Sequence, residues 1–186
     1  MQSFTVHAEK TAPVGAKELL AGVGKALGFV PNLMGVLAEA PAALEAYLTL
    51  SRLFESSSFT SVERQVVLLA VSFENGCDYC MAAHSGLARM QNVPENLVLA
   101  LREGTAIEEP RLEALRSFTA ALTRHRARVS EAQVEAFLAA GFSHQQVLEV
   151  ILGVTQKTLS NYVNHVAHTP LDSAFTSQRW TRPAVS

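Results

Sequence analysis

The chain has 186 residues, a formal net charge of −2 and 48% hydrophobic residues. That length holds one compact domain with a substantial core, and that composition excludes large-scale disorder. The basic residues are scattered, which excludes the concentrated positive footprint of a nucleic-acid binder, and the longest apolar runs, such as VVLLAV at 66–71, are far too short to span a bilayer.

The opening MQSFTVHAEKTAPVG has no basic region followed by an apolar stretch, so it does not read as a secretory leader. The expectation is a soluble, cytoplasmic protein. Alternating strand patterns are nearly absent, and the helix signals run in sequence. PVGAKELLAGVGKALGF reads as a first helix weakened by glycines. PNLMGVLAEAPAALEAYLTLSRLFESS reads as two helices, each opened by a proline, Pro31 and Pro41, at a position the first turn tolerates. TSVERQVVLLAVSFENG follows, with Thr60 and Glu63 spaced as a capping box and Gly76 as its stop. The next helix is expected from about Asp78 to Gln91. PENLVLALREG is short, and RLEALRSFTAALTRHRA is amphipathic. Ser130 with Gln133 and Ser143 with Gln146 mark two further starts, and the last long helix ends before Pro170. No stretch is long enough to act as a linker. The expected fold is all-α: one domain over 1–176 and an extended arm over 177–186.

ENGCDYCMAAH, at 74–84, contains the only two cysteines of the chain. Cys77 falls at the start of a helix and Cys80 one turn further in, so the two share a face. Their Cα atoms are then about 5–6 Å apart, a separation a disulfide accepts. A helix N-terminus carries partial positive charge, which favours thiolate over thiol. His84 lies one turn beyond Cys80, within reach of its sulfur directly or through one water. As a base it takes the thiol proton; as an imidazolium it supports the thiolate. The dipole argument favours Cys77 as the thiolate and the histidine favours Cys80; a charge-assisted hydrogen bond outweighs an exposed dipole contact, so Cys80 is expected to attack. A low-pKa thiol with a second thiol one turn away suits peroxide reduction, through a sulfenic acid that condenses to a disulfide.

Other readings of the same residues exist. Cys77, Cys80 and His84 supply three ligands of a zinc site, although none of His7, His125, His144, His165 and His168 carries a paired spacing to them. Two buried thiols beside a satisfied histidine is the plainest reading. A thioredoxin-like site would follow a strand, whereas the preceding segment reads as helix. On the last helix, Asn161, His165 and His168 share a face, which is either a polar lining near the site or a solvated surface.

LLAVSFENGCDYCMAAH resembles the core motif of the alkylhydroperoxidase D-like proteins within the carboxymuconolactone decarboxylase superfamily. LGFVPNLMGVLAEAPAALEAYLTLSRLF and NYVNHVAHTPLD are similar to the flanking segments of its peroxidase-related branch. The resemblance implies an all-α, AhpD-like fold with the Cys-x-x-Cys motif at a helix start in a helical hairpin, assembled as trimers or hexamers. It implies peroxide reduction with electrons from a lipoyl- or thiol-bearing partner, and no cofactor. It assigns attack on peroxide to Cys80, resolution to Cys77, and a proton relay to His84 with a glutamate on the preceding helix. That glutamate is expected at position 65, where this chain has Gln65, which hydrogen-bonds but takes no proton. Glu63 is turned to another face. Glu74 either replaces the missing carboxylate or is an exposed helix-end charge. Tyr79, between the cysteines, either shapes the pocket with its hydroxyl or packs as an aromatic. Decarboxylase members lack the cysteine pair.

Two other functions stay open on the sequence. One is a redox sensor or disulfide-exchange protein without peroxide turnover. The other is a carboxymuconolactone decarboxylase-like lyase, which would work without either thiol.

Overall fold

The fold is all-helical. The computed structural model describes residues 4–183, which form α1 (Val14–Leu27), α2 (Asn32–Leu37), α3 (Pro41–Glu55), α4 (Ser61–Glu74), α5 (Asp78–Met90), α6 (Glu95–Glu103), α7 (Pro110–Arg124), α8 (Glu131–Ala139) and α9 (His144–Ala167), followed by a short 3-10 helix over Ser173–Gln178. The capping signals form as the spacing predicts. Thr60 and Glu63, Ser130 and Gln133, and Ser143 and Gln146 each exchange side-chain and backbone bonds at a helix start. Pro41 occupies the first turn of α3, while Pro31 sits one place before α2, as its cap residue.

α4 is the central element. VVLLAV is buried from Val66 to Val71, because α7, α9, α5 and α6 all pack on it. Two apolar clusters result. One gathers α4, α6, α7 and the aromatic stack Phe118–Phe137–Phe142; the other gathers α1, α2 and α3 around Leu20, Leu33, Leu44 and Tyr47. α5 stands at the seam between them: Met81 and Ala88 belong to the first cluster, and Cys77, Tyr79, Cys80 and Ala83 to the second.

Gly153 sets the distance between α9 and its neighbours. A Cβ there would lie 2.8 Å from carbons of both Phe54 and Val67, so only glycine lets α3, α4 and α9 approach this closely. The residues after Gly153 are thereby brought against α5.

Of the expected arm over 177–186, the described residues 179–183 carry no helix, and Trp180 is packed on the body of the domain. Trp180 donates its indole N–H to the Arg102 carbonyl at 2.8 Å and packs against Phe73 with ring centroids 6.0 Å apart. Among the described residues no single helix is long and apolar enough to cross a membrane.

Candidate active site

The turn between α4 and α5 places the cysteines. Gly76 N–H donates to the Phe73 carbonyl at 3.0 Å and Cys77 N–H to the Ser72 carbonyl at 2.9 Å. This pair of bonds closes the last turn of α4 and requires the left-handed conformation of Gly76, φ 65°. Cys77 is therefore the cap residue of α5, and Cys80 lies in its first turn. Both are buried and free.

The remaining walls come from α9 and the C-terminal segment. Lys157, Ser160, Asn161 and Asn164 fall on one stripe of α9 and are all buried. Asn164 Nδ2 lies 3.2 Å from the Cys80 sulfur and 3.9 Å from that of Cys77, and donates to both. The Ser160 hydroxyl is 3.7 Å from the Cys80 sulfur. Asn161 accepts from Asn75 Nδ2 at 2.9 Å, which leaves its own buried amide N–H group without another hydrogen-bond partner and turned to the sulfur environment.

These contacts separate the two thiols. Burial pushes the Cys80 thiol up, but the hydrogen bond from Cys77, the Lys157 charge and the Ser160 and Asn161 side chains outweigh it and hold Cys80 well below the ordinary thiol range. Cys77 is pushed far up, first by donating its own proton to Cys80, then by burial. Of the two, Cys80 is the thiol favoured to lose its proton and Cys77 the one favoured to keep it.

His84 does not supply the positive charge. Burial holds its pKa well below the ordinary value, and the Lys157 charge adds to this, so the imidazole is neutral. This corrects the expectation that an imidazolium stabilises the Cys80 thiolate. The cation there is Lys157. His84 instead donates its Nδ1 proton to Gln65 Oε1 at 3.1 Å, and Gln65 Nε2 donates to Gln91 Oε1 at 3.2 Å. Gln65 fixes the tautomer and leaves Nε2 of His84 as a free base, but the line of amides behind it carries no proton away.

Glu74 is not a substitute relay. Its carboxylate accepts two bonds from Arg124, at 2.9 and 2.6 Å, on the face toward α7. Glu63 is likewise committed, to its capping box and to an ion pair with Arg111. Tyr79 does more than pack. Its hydroxyl donates to Asp172 at 2.5 Å and accepts the Leu33 N–H at 3.2 Å, and Asp172 also caps α2 through the Asn32 N–H at 3.0 Å. The residue between the cysteines therefore ties α5 to α2 and to the C-terminal segment. Of the three residues expected to share a face on the last helix, Asn161 is buried at the site while His165 and His168 are exposed.

A cavity of about 450 Å³ opens over Cys80. Its wall is mostly apolar, with Leu33, Met34, Leu87 and Phe175, and its chemically active groups are Tyr79, Cys80, His84 and Lys157. Cys77 is not part of that wall. A second cavity of about 560 Å³ lies on the other side of His84 and reaches Gln65, Gln91 and Arg64. Leu27, Met34, Tyr47, His84 and Leu87 line both and form the partition. Among the described residues no three His, Cys, Asp or Glu side chains are grouped to hold a metal ion. Cys77, Cys80 and His84 therefore do not converge as zinc ligands.

Sequence reasoning did not find Lys157, Ser160, Asn164 or Asp172. The signal available for the first three was a row of polar residues at helical spacing inside an otherwise apolar helix.

A family model described as the carboxymuconolactone decarboxylase family matches residues 38–108, which include the whole α4–α5 hairpin. No curated protein matches the chain. Solved structures share its fold. An alkylhydroperoxidase AhpD core, a peroxidase-related protein from Ralstonia eutropha JMP134, is 22% identical, with a TM-score of 0.80 over 94% of this chain and 96% of that one. A peroxidase-related protein from Silicibacter sp. TM1040 is 21% identical, with a TM-score of 0.79 over 94% and 95%. The debrominase Bmp8, in its C82A form bound to 2,3,4-tribromopyrrole, is 18% identical, with a TM-score of 0.80 over 96% of each chain.

Proposed function

We propose that this chain, whose residues 38–108 match the carboxymuconolactone decarboxylase family model and whose fold is shared with an AhpD core, is a thiol-dependent peroxidase of that superfamily whose Cys77–Cys80 pair cycles between dithiol and disulfide. One observation carries this reading: Cys80, the more acidic thiol of the pair, lines the cavity, and Cys77 does not.

The reaction follows from that arrangement. A hydroperoxide enters the cavity and the Cys80 thiolate attacks its terminal oxygen. The O–O bond breaks, the sulfur is oxidised to a sulfenic acid, and the alkoxide leaves and takes up a proton. The Cys77 thiol, still protonated, condenses with the sulfenic acid; an S–S bond forms and water departs. Helical i, i+3 spacing already matches disulfide geometry, so α5 need not unfold. A dithiol of the lipoyl or protein-thiol class then reduces the disulfide and restores the starting pair. Tyr79 and Asp172 hold the turn carrying both sulfurs while the bond between them forms and breaks.

The reading is tested by peroxide consumption in the presence of a dithiol. Sustained turnover that stops in Cys80→Ser supports it. A single oxidation with no turnover supports a redox sensor instead, and activity on a lactone acid that survives loss of both cysteines supports a lyase. The apolar cavity gives a second reading some weight, reductive dehalogenation of a small halogenated aromatic, since Bmp8 holds tribromopyrrole on this fold. Halide release from such a compound, without peroxide, would favour it.

A homo-oligomer is part of the same proposal. From Gln156 to Asn164 the buried face of α9 is polar, while Leu148, Ile151, Tyr162 and Val166 on the helix are exposed. A second copy of the chain is the occupant this reading assigns to that stripe.

A further inference from the structure

Lys157 is a charged group of the site that the cysteine–histidine motif does not account for. It is among the most deeply buried side chains of the molecule. A buried ammonium needs a partner, because desolvating an unpaired charge costs several kcal/mol. No carboxylate pairs with Lys157 among the described residues: the ion pairs there use other basic groups, and Asp172 is taken by Tyr79 and Asn32. The titratable groups around Lys157 are Tyr47 from α3 and Cys77, Cys80 and His84 from α5. Of these only a cysteine becomes an anion near neutral pH. Lys157 also shares the wall of the cavity with Cys80.

We propose that Lys157 is the counter-ion of the Cys80 thiolate and, resting on the peroxidase reading above, the acid that protonates the leaving oxygen. The step balances. Thiolate, ammonium and hydroperoxide give sulfenic acid, alcohol and neutral amine; the sulfur loses the two electrons that the O–O bond gains, and the proton on the alcohol comes from Nζ. Condensation with the Cys77 thiol then releases water. Reduction of the disulfide by a dithiol returns one proton to Cys77 and one to Lys157 as the thiolate reappears. The amine is neutral only while no thiolate is present, so Lys157 is never a buried cation without a partner. This assignment also accounts for Gln65. With the acid on α9, the His84 side of the site needs no carboxylate behind it. Burial opposes the charge on Lys157, and the neighbouring sulfurs restore it; the net direction is upward, as an ion pair requires.

The test uses the full chain, reduced, in two variants. Lys157→Met keeps the length and removes the charge. Lys157→Arg keeps the charge but holds its proton at neutral pH. Ultraviolet thiolate absorbance and iodoacetamide alkylation of Cys80 are followed against pH, and neither requires peroxide. In Lys157→Met the Cys80 midpoint is expected to rise by at least about one unit, with alkylation at neutral pH slowed about ten-fold; in Lys157→Arg it stays near that of the unaltered chain. Sulfenic acid formation with an organic hydroperoxide is then compared per thiolate, and Lys157→Arg is expected to be slower by about a hundred-fold, the lower range for loss of a general acid. A Lys157→Met profile that superimposes on the unaltered one overturns the ion pair. Full oxidation rate in Lys157→Arg overturns the acid role.

If the unaltered chain shows the lysine-dependent thiolate and consumes no peroxide, the peroxidase reading falls and the acid step with it, while the titration still upholds the pair. A second measurement does not depend on folding of the lysine variants. In Cys80→Ser the counter-ion is gone, so Lys157, observed by NMR with isotope-labelled lysine, is expected to titrate lower than in the unaltered chain. An unchanged lysine midpoint overturns the pair.

Discussion

The two sulfurs stand one helical turn apart in the same buried place, and they differ because their neighbours differ. Cys77 has the stronger claim on the helix dipole, an effect of typically less than ~1 kcal/mol at an exposed end. Cys80 has a buried ammonium, two amides and a hydroxyl on α9, and the hydrogen bond from Cys77 itself. Charge-assisted bonds of roughly 1.5–3 kcal/mol decide the matter in favour of Cys80. Cys77→Ser is therefore expected to form a trappable sulfenic acid at Cys80 with peroxide, and Cys80→Ser to react slowly; equal peroxide reactivity in the two would reverse the assignment. His84 makes a separate claim. Its folded pKa is depressed, so as pH falls below about 6.5 the unfolded chain takes up a proton that the folded chain refuses. Stability present above that pH is then lost by up to about 1.4 kcal/mol per unit. Melting temperature against pH from 7.5 down to 5 should fall more steeply, by roughly that slope, in the unaltered chain than in His84→Gln. Gln65→Glu would place an anion 3.1 Å from His84 Nδ1, which raises the histidine pKa. The imidazole NMR titration should move to higher pH, and the added carboxylate should return part of the oxidation rate lost in Lys157→Met.

Among the elements, α9 carries the most consequence per residue. Its polar stripe reaches the sulfurs because Gly153, one turn before Lys157, lets the helix lie against Phe54 and Val67. Gly153→Ala adds a methyl with carbon contacts of 2.8 Å on two sides. Overpacking of this kind costs about 1–3 kcal/mol, against the roughly 0.5–1 kcal/mol by which alanine favours a helix. A lower melting temperature and less thiolate absorbance at neutral pH are both expected, the second because α9 carries Lys157 away from Cys80. An unchanged melting temperature would show that the close approach is not needed. The α4–α5 turn is simpler. A Cβ at Gly76 meets only an ordinary contact with Arg182 at 3.6 Å, so Gly76→Ala is expected to cost only the left-handed backbone term of about 1–2 kcal/mol, read by denaturant unfolding.

For the molecule as a whole, the exposed apolar stripe of α9 is the surface left to account for. Leu148, Ile151, Tyr162 and Val166 stand on the side of the helix opposite the site. Light scattering at micromolar concentration is expected to give at least twice the mass of the chain, and Tyr162→Glu is expected to lower it. A monomer in the unaltered chain would refute the assembly. Trp180 is tied to the body of the molecule by Arg102 and Phe73, a connection with no local pattern in the sequence because its partners lie far away along the chain.

What the sequence determined by itself was local in origin. The all-helical class, the three capping boxes, the Gly76 turn and the one-turn spacing of Cys77 and Cys80 all depend on residues within a few places of one another, where backbone geometry leaves few choices. Gln65 at the expected glutamate position was legible too, as a departure from a motif. The tertiary structure decided which charges meet. Glu63 and Glu74 were both near enough in sequence to serve the site, and Arg111 and Arg124 hold them elsewhere. Lys157 is 77 places from Cys80, and only the packing of α9 across the α4–α5 hairpin puts the ammonium beside the thiolate. Periodicity identifies the side of a helix that differs from the rest, but not whether that side meets water or a buried sulfur. On the second half of α9 a polar stripe faces inward, because a buried thiol held low needs donors and a cation around it, and here those come from a helix far away in the chain.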